Sequence, residues 1–145
     1  MTALAYWKDL GGERMACSWA GFDMTGLPSK LLPTTLVVDI HPDSADNRYR
    51  YWGSQMTSIH GRDMTGESPY DIDPEPMREI LRRQHVQTAA DKVASASRYA
   101  FFKSNGVEHF HYSLRLPLSD DGETVSQIVV VVDMTSEDID FMADS

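Results

Sequence analysis

Five β-branched residues in a row, Ile128 to Val132, set the tightest limit on what this chain can become. A strand whose apolar side chains point both ways has to be buried on both faces, so it belongs at the centre of a sheet with a cover on each side. Leu36-Val37-Val38 makes the same demand near the other end of the sequence. Two central strands this far apart imply a sheet assembled from both ends of the chain.

Residues 1–33 read as a flank before the core. Leu4, Trp7 and Leu10 suit a short helix with an apolar stripe, stopped by Gly11-Gly12, and the tryptophans and leucines that follow have to pack on something. Thr34 to His41 is a strand, and Pro42 to Asn47 turns it into a second strand, Arg48 to Ser54. Asp73-Pro74-Glu75 is a helix start: aspartate caps free N–H groups, proline fits the first turn and glutamate favours the positive end of the dipole. The helix should run to Asp91 with a core stripe of Met77, Ile80, Leu81, Gln84 and Thr88, oily in its first half and polar in its second, with His85 at the margin. Three strands follow: Val93 to Lys103, ending in a Ser104-Asn105-Gly106 hairpin, then Val107 to Leu118, then Ser126 to Met134. In the middle strand Phe110, Tyr112, Leu114 and Leu116 share one face, while His109, His111, Ser113 and Arg115 share the other, which reads as solvated.

Between the second strand and the long helix lies Tyr49-Arg-Tyr-Trp-Gly-Ser54, a short helical segment, and then Gly61-Arg-Asp-Met-Thr-Gly66. This stretch resembles the second strand, first helix and following turn of a PAS domain, and it is most similar to the short, mostly stand-alone PAS proteins of alphaproteobacteria. The resemblance covers about Thr34 to Thr135. It implies an α+β fold: a five-stranded antiparallel sheet with the last strand beside the first, helices on one face, and the N-terminal flank packing on the sheet or on a dimer partner. Residues 34–135 would form the PAS-like domain and residues 136–145 an acidic tail. Asp133-Met-Thr135 is similar to the Asp-x-Thr that ends a PAS core, and Thr135 suits a cap for a short output helix. Asp-Met-Thr-Gly also occurs at Asp23 to Gly26, but the flanks of the two copies share nothing, so the recurrence reads as coincidence rather than a repeat.

The expected function is that of a bacterial sensor or adaptor in signal transduction. It would bind a small metabolite and signal through protein–protein contacts, as a homodimer and to a signalling protein in trans, since no output domain follows before Ser145. The expected ligand pocket lies between sheet and helices and is formed by Trp52, Gln84, His85, Thr88, Tyr99, Phe101, Phe110 and Tyr112, with Arg50, Arg62 or Arg98 available to grip an anion. The alternatives are an adaptor whose core is filled and carries no ligand, and an α+β cone enzyme pairing His85 with Asp63 or Asp71. No nucleophile motif or phosphate-cradling glycine loop supports the enzyme.

Haem-binding PAS domains ligate iron through a histidine on the long helix, which makes His85 the one axial candidate, but no companion haem motif is present. Flavin photochemistry in PAS relatives needs a reactive cysteine after the third strand-helix connection, whereas Cys17 lies in the flank. No cofactor is therefore expected. A single cysteine excludes an internal disulfide, and His109 with His111 lacks the further ligands of a zinc site.

Charge narrows the partners. The net charge is −9, and residues 119–145 carry eight acidic side chains and no lysine or arginine. Nucleic acid and anionic membrane both select basic surfaces, so neither is expected as a partner. No apolar run reaches membrane-spanning length and the N-terminus lacks a secretion signal, so a cytoplasmic location is expected.

Overall fold

The computed structural model describes residues 2–73, 75–102 and 108–133, without the side chains of 59, 99–102, 108–111 and 133. The Ser104-Asn105-Gly106 hairpin, the Asp133-Met-Thr135 cap and the acidic tail lie outside these residues.

Five strands form one antiparallel sheet: β1 (Thr35–Asp39), β2 (Arg48–Trp52), β3 (Ser95–Phe102), β4 (Glu108–Leu118) and β5 (Gln127–Asp133). Their order across the sheet is β2-β1-β5-β4-β3, which puts the two strands with two-sided apolar runs side by side at its centre. Val37 pairs with Val129 and Val38 with Ile128, and all four are completely buried. The expectation drawn from the Ile128 to Val132 run is met: the sheet is closed from both ends of the sequence.

Each face has its own cover. On one face Leu114, Leu116, Leu118, Val129, Val131 and Val37 pack against the flank, through Ala3, Leu4 and Trp7 of helix α1 (Ala3–Gly11) and through Cys17, Phe22, Leu27 and Leu31. The flank thus covers the sheet of its own chain. Thr2 caps α1 by accepting from Ala5 N–H, and Gly12 ends it at φ +59°.

The opposite face carries Leu36, Val38, Val130 and Val132, covered by Tyr49, Trp52, Met56, Met64 and Ile72 and by Met77 and Leu81. Helix α2 (Met56–His60) ends at Gly61 with φ +89°. The glycine motif that follows is stitched back to β2: Gly66 N–H donates to Tyr49 O at 2.8 Å, and Tyr49 N–H donates to Glu67 O at 3.0 Å. This drives Met64 fully into the core. In both Asp-Met-Thr-Gly copies the aspartate accepts from the threonine N–H and hydroxyl at 2.9 and 2.6 Å. The two copies share this Asp–Thr turn and then part, Met24–Gly26 winding as a 3₁₀ turn and Gly66 taking φ +80°, and each sends its methionine toward a different face of the sheet, Met24 to the flank side and Met64 to the helix side.

The long helix α3 spans Pro76–Asp91. Its start differs from expectation. Asp73 makes no cap and instead accepts from Arg78 at 3.2 Å, and Pro76 holds the first turn. Its phase differs as well: Ile80 is 45% exposed, whereas His85 and Thr88 are buried beside half-buried Met77 and Leu81. His85 stands in the middle of the buried stripe, not at its margin.

Candidate functional site

The polar half of α3 lies over a polar patch of the sheet. Because Leu114, Leu116 and Leu118 face the flank, strand alternation turns Ser113 and Arg115 toward α3, where both are buried. Arg115 donates to Ser95 Oγ at 3.2 Å from Nε, and to Ser97 Oγ at 3.1 Å and Ser113 Oγ at 2.9 Å from Nη1. The face expected to be solvated is, at Ser113 and Arg115, the helix-covered one. The inward guanidinium is Arg115. Arg50, Arg62 and Arg98 are exposed, with Arg50 paired to Asp39 at 2.7 Å and Arg62 to Glu67 at 2.7 Å.

His85 takes its partner from the turn at Pro69–Asp71, which the glycine motif positions: Arg62 bridges Glu67 and the carbonyl of Asp71. The hydrogen-bond chain starts in the β1–β2 connection. His41 N–H donates to Asn47 Oδ1 at 2.8 Å, which fixes the amide so that Asn47 Nδ2 donates to Tyr70 Oη at 2.9 Å. The same hydroxyl meets His85 Nδ1 at 3.0 Å, in a hydrogen bond whose direction follows the imidazole tautomer. Burial and the nearby Arg115 guanidinium pull the pKa of His85 down to about 4, so the ring is neutral at physiological pH. Arg82 lies over the Tyr70 ring, 5.4 Å from its centroid.

Beside this chain opens a cleft of about 670 Å³ at the end of the sheet, walled by the end of β1, the β1–β2 connection, α3 and the β4–β5 turn. Asp39, Asn47, His85, Ala89, Lys92 and Gln127 are among its lining residues. Gln127 is 6% exposed, and its Oε1 has no hydrogen-bond partner. Its Nε2 points at Asp39 Oδ1, 3.4 Å away, and the carboxylate accepts only donors, so the amide orientation is set and the unpaired atom is the acceptor.

Of the residues expected in a ligand pocket, His85 lines this cleft, Thr88 is buried on the same helix stripe, and Gln84 is half-buried one position before His85. Trp52 sits in the α2 core, 4.9 Å from the Tyr49 ring and 5.6 Å from His60, with its indole N–H buried and unpaired. Tyr112 is half-buried against the flank cluster, on the other face of the sheet from His85. The side chains of Tyr99, Phe101, Phe110, His109 and His111 lie outside the described residues. For the acid–base pairing, Asp63 and Asp71 are both exposed and Asp63 is occupied by Thr65, so the partner of His85 is a phenol and not a carboxylate.

Gln127, Asn47, Tyr70 and Arg115 were missed by sequence reasoning. Gln127 did leave a signal, since a glutamine opening a strand that is apolar on both faces needs a polar partner or a ligand. Among the described residues no group of three His, Cys, Asp or Glu side chains is placed to hold a metal ion, and no helix is long and apolar enough to cross a membrane.

No protein-family model matches the chain, and no curated protein matches it. Solved structures do. The PAS domain of a protein from Colwellia psychrerythraea matches at 8% identity over 80% of this chain and 100% of its own, with a TM-score of 0.50. The dark structure of the blue-light photoreceptor Aureochrome1 LOV matches at 14% identity over 80% of this chain and 85% of its own, with a TM-score of 0.50. An RNA-binding Light-Oxygen-Voltage receptor matches at 14% identity over 83% of this chain, though over only 37% of its own length, with a TM-score of 0.52. At such identities the likeness establishes architecture, and with the strand order above it makes this chain an α+β protein of the PAS fold.

Proposed function

We propose that the chain is a small-molecule sensor of the PAS type, binding its ligand in the cleft at the end of the sheet and reporting occupancy to another protein. The observation that carries this reading is the 670 Å³ cleft, which has in its lining Gln127, a buried amide with its donor engaged and its acceptor unpaired. A buried acceptor without a partner costs about 1–3 kcal/mol, and a bound donor recovers it. The cleft is within the size range of small-ligand sites, and it joins apolar walls at Val86 and Ala89 to a few polar groups.

Occupancy has a route outward. The chain from His41 through Asn47 and Tyr70 to His85 couples the β1–β2 connection to α3, so a ligand that favours one arrangement of α3 also biases that loop. The partner is a signalling protein or a second copy of the chain. A homodimer through the outer side of the flank is supported by Leu10, Met15, Trp19 and Leu32, which remain only partly buried there. The protein does no chemistry on its ligand and needs no cofactor in this reading, and it works in the cytoplasm.

The test is a thermal-shift screen of wild type and Gln127→Met against small metabolites. A compound at 100 times its Kd stabilises the folded state by about 2.7 kcal/mol, and the shift should shrink in the variant. No shift with any compound, together with a Gln127→Met protein that is merely more stable, would leave the ligand-free adaptor as the better account.

A further inference from the structure

The two edges of the sheet are not alike. On the β2 side the glycine motif lies along the strand: Gly66 N–H donates to Tyr49 O at 2.8 Å and Tyr49 N–H to Glu67 O at 3.0 Å, with Thr65 bridged to Tyr49. On the other side stands β3, which pairs with β4 from Ser95 opposite Arg115 to Phe102 opposite Glu108 without a bulge. Among the described residues no strand pairs with its outer edge. In an antiparallel ladder every second residue turns its N–H and C=O away from the partner, so β3 offers alternate backbone donors and acceptors over about 27 Å. Sheet edges are ordinarily blunted by proline, lysine, a bulge or a short strand, and β3, eight residues long, has none of these.

Such a row accepts an extended segment, since only an extended backbone repeats donors and acceptors at that spacing. Charge narrows the occupant further. Between Asp91 and Glu108 the chain carries Lys92, Arg98 and Lys103 and no acidic residue, in a protein whose net charge is −9. Val93, 55% exposed, adds an apolar contact at the head of the strand, and the small side chains of Ser95, Ala96 and Ser97 leave room for larger ones on an incoming strand.

We propose that the signalling partner docks on the outer edge of β3, adding an acidic extended segment to the sheet as its sixth strand. This inference rests on the reading that the chain signals to another protein, and it names the output surface. The edge is well placed for that role. Helix α3 walls the cleft with His85, Val86, Ala89 and the adjoining Lys92, and three residues separate its end at Asp91 from the start of β3 at Ser95.

Hydrogen exchange and ¹⁵N NMR of the full chain test it with three synthetic seven-residue peptides: alternating glutamate and valine, alternating lysine and valine, and the glutamate peptide with proline at its centre. In the free chain alternate amides between Ser95 and Phe102 should exchange fast, while that of Tyr49 is protected. The glutamate peptide should protect them and shift the Ser95 to Arg98 signals at about millimolar concentration, and the other two should bind about tenfold more weakly or worse. Lys92→Glu should cut the preference for glutamate over lysine by about threefold. Equal binding by the lysine or proline peptide, or no response of β3 to any of them, overturns the proposal. So does full protection of β3 in the free chain, because the edge is then taken by residues 134–145 or, where protection grows with protein concentration, by a second copy. The ligand reading is decided separately: a docking peptide beside a blank thermal-shift screen keeps the edge and removes the ligand.

Discussion

The indole N–H of Trp7 donates to the carbonyl of Pro117 at 2.7 Å, in a fully buried bond that spans 110 positions of sequence. It ties α1 to the end of β4, where Leu116 and Leu118 of the flank-covered face are completely buried. The flank is therefore part of the hydrophobic core. Trp7→Ala should destabilise the fold by about 3–5 kcal/mol through the lost aromatic contacts and the cavity. Trp7→Phe keeps much of the packing but leaves the Pro117 carbonyl unpaired, at about 1–3 kcal/mol. Urea unfolding monitored by circular dichroism gives both values, and a Trp7→Ala protein as stable as wild type would detach the flank from the core.

Gly53 controls how the second strand leaves the sheet. A Cβ there would lie 2.3 Å from the Pro33 carbonyl oxygen and 2.7 Å from that of Thr35, both backbone atoms that cannot swing aside. The same glycine donates its N–H to Thr35 O at 2.8 Å. Gly53→Ala should cost about 1–3 kcal/mol, as overpacking does, and should broaden the amide signals of β1 and β2. Gly12→Ala, at an open position, costs only the strain of its positive φ.

His85 makes stability depend on pH. Its folded pKa of about 4 lies below its ordinary value near 6.5, so between these limits the unfolded chain takes up a proton that the folded chain refuses. The contribution is complete above pH 6.5 and is lost progressively as pH falls toward 4, by about 3 kcal/mol in all. His85→Gln keeps a neutral side chain that can accept from Tyr70. The difference in unfolding free energy between wild type and this variant should therefore change by that amount between pH 7 and 4. A pH-independent difference would place His85 in solvent.

The phase of α3 is tested at its surface. Ile80, at 45% exposure, should tolerate Ile80→Gln within about 0.5 kcal/mol, while Leu81→Ala, beneath it on the core side, should cost about 2 kcal/mol or more. Reversed magnitudes would restore Ile80 to the core.

These tests also mark where the sequence was legible. The central place of β1 and β5 followed from two apolar runs that only a central position accommodates, Leu36 to Val38 and Ile128 to Val132, and the PAS resemblance implied that the last strand lies beside the first. The β4 faces were read the wrong way round at Ser113 and Arg115 because alternation was taken to separate inside from outside. In a sheet covered on both sides it separates two interiors, and here the polar one meets the polar half of α3. Ile80 misled for a related reason. An isoleucine ordinarily marks the core stripe, but the groove beneath α3 holds Arg115 and serines, which the imidazole and the Thr88 hydroxyl suit better. The Tyr70–His85 bond joins two segments through a turn whose position depends on Gly66 pairing with β2, a tertiary fact with no local signature. Gln127 was visible as an oddity at the head of an oily strand, but its unpaired oxygen depends on where Asp39 stands across the sheet.

The central claim is that the cleft beside Gln127 holds a small molecule. Native mass spectrometry of the freshly purified chain, run beside the same sample denatured and beside Gln127→Met, tests it most directly. The account predicts extra mass on the native wild type that leaves on denaturation and is diminished in the variant. A native wild type at the bare mass of the chain or of its dimer, with no gain after incubation in cell extract, would contradict it.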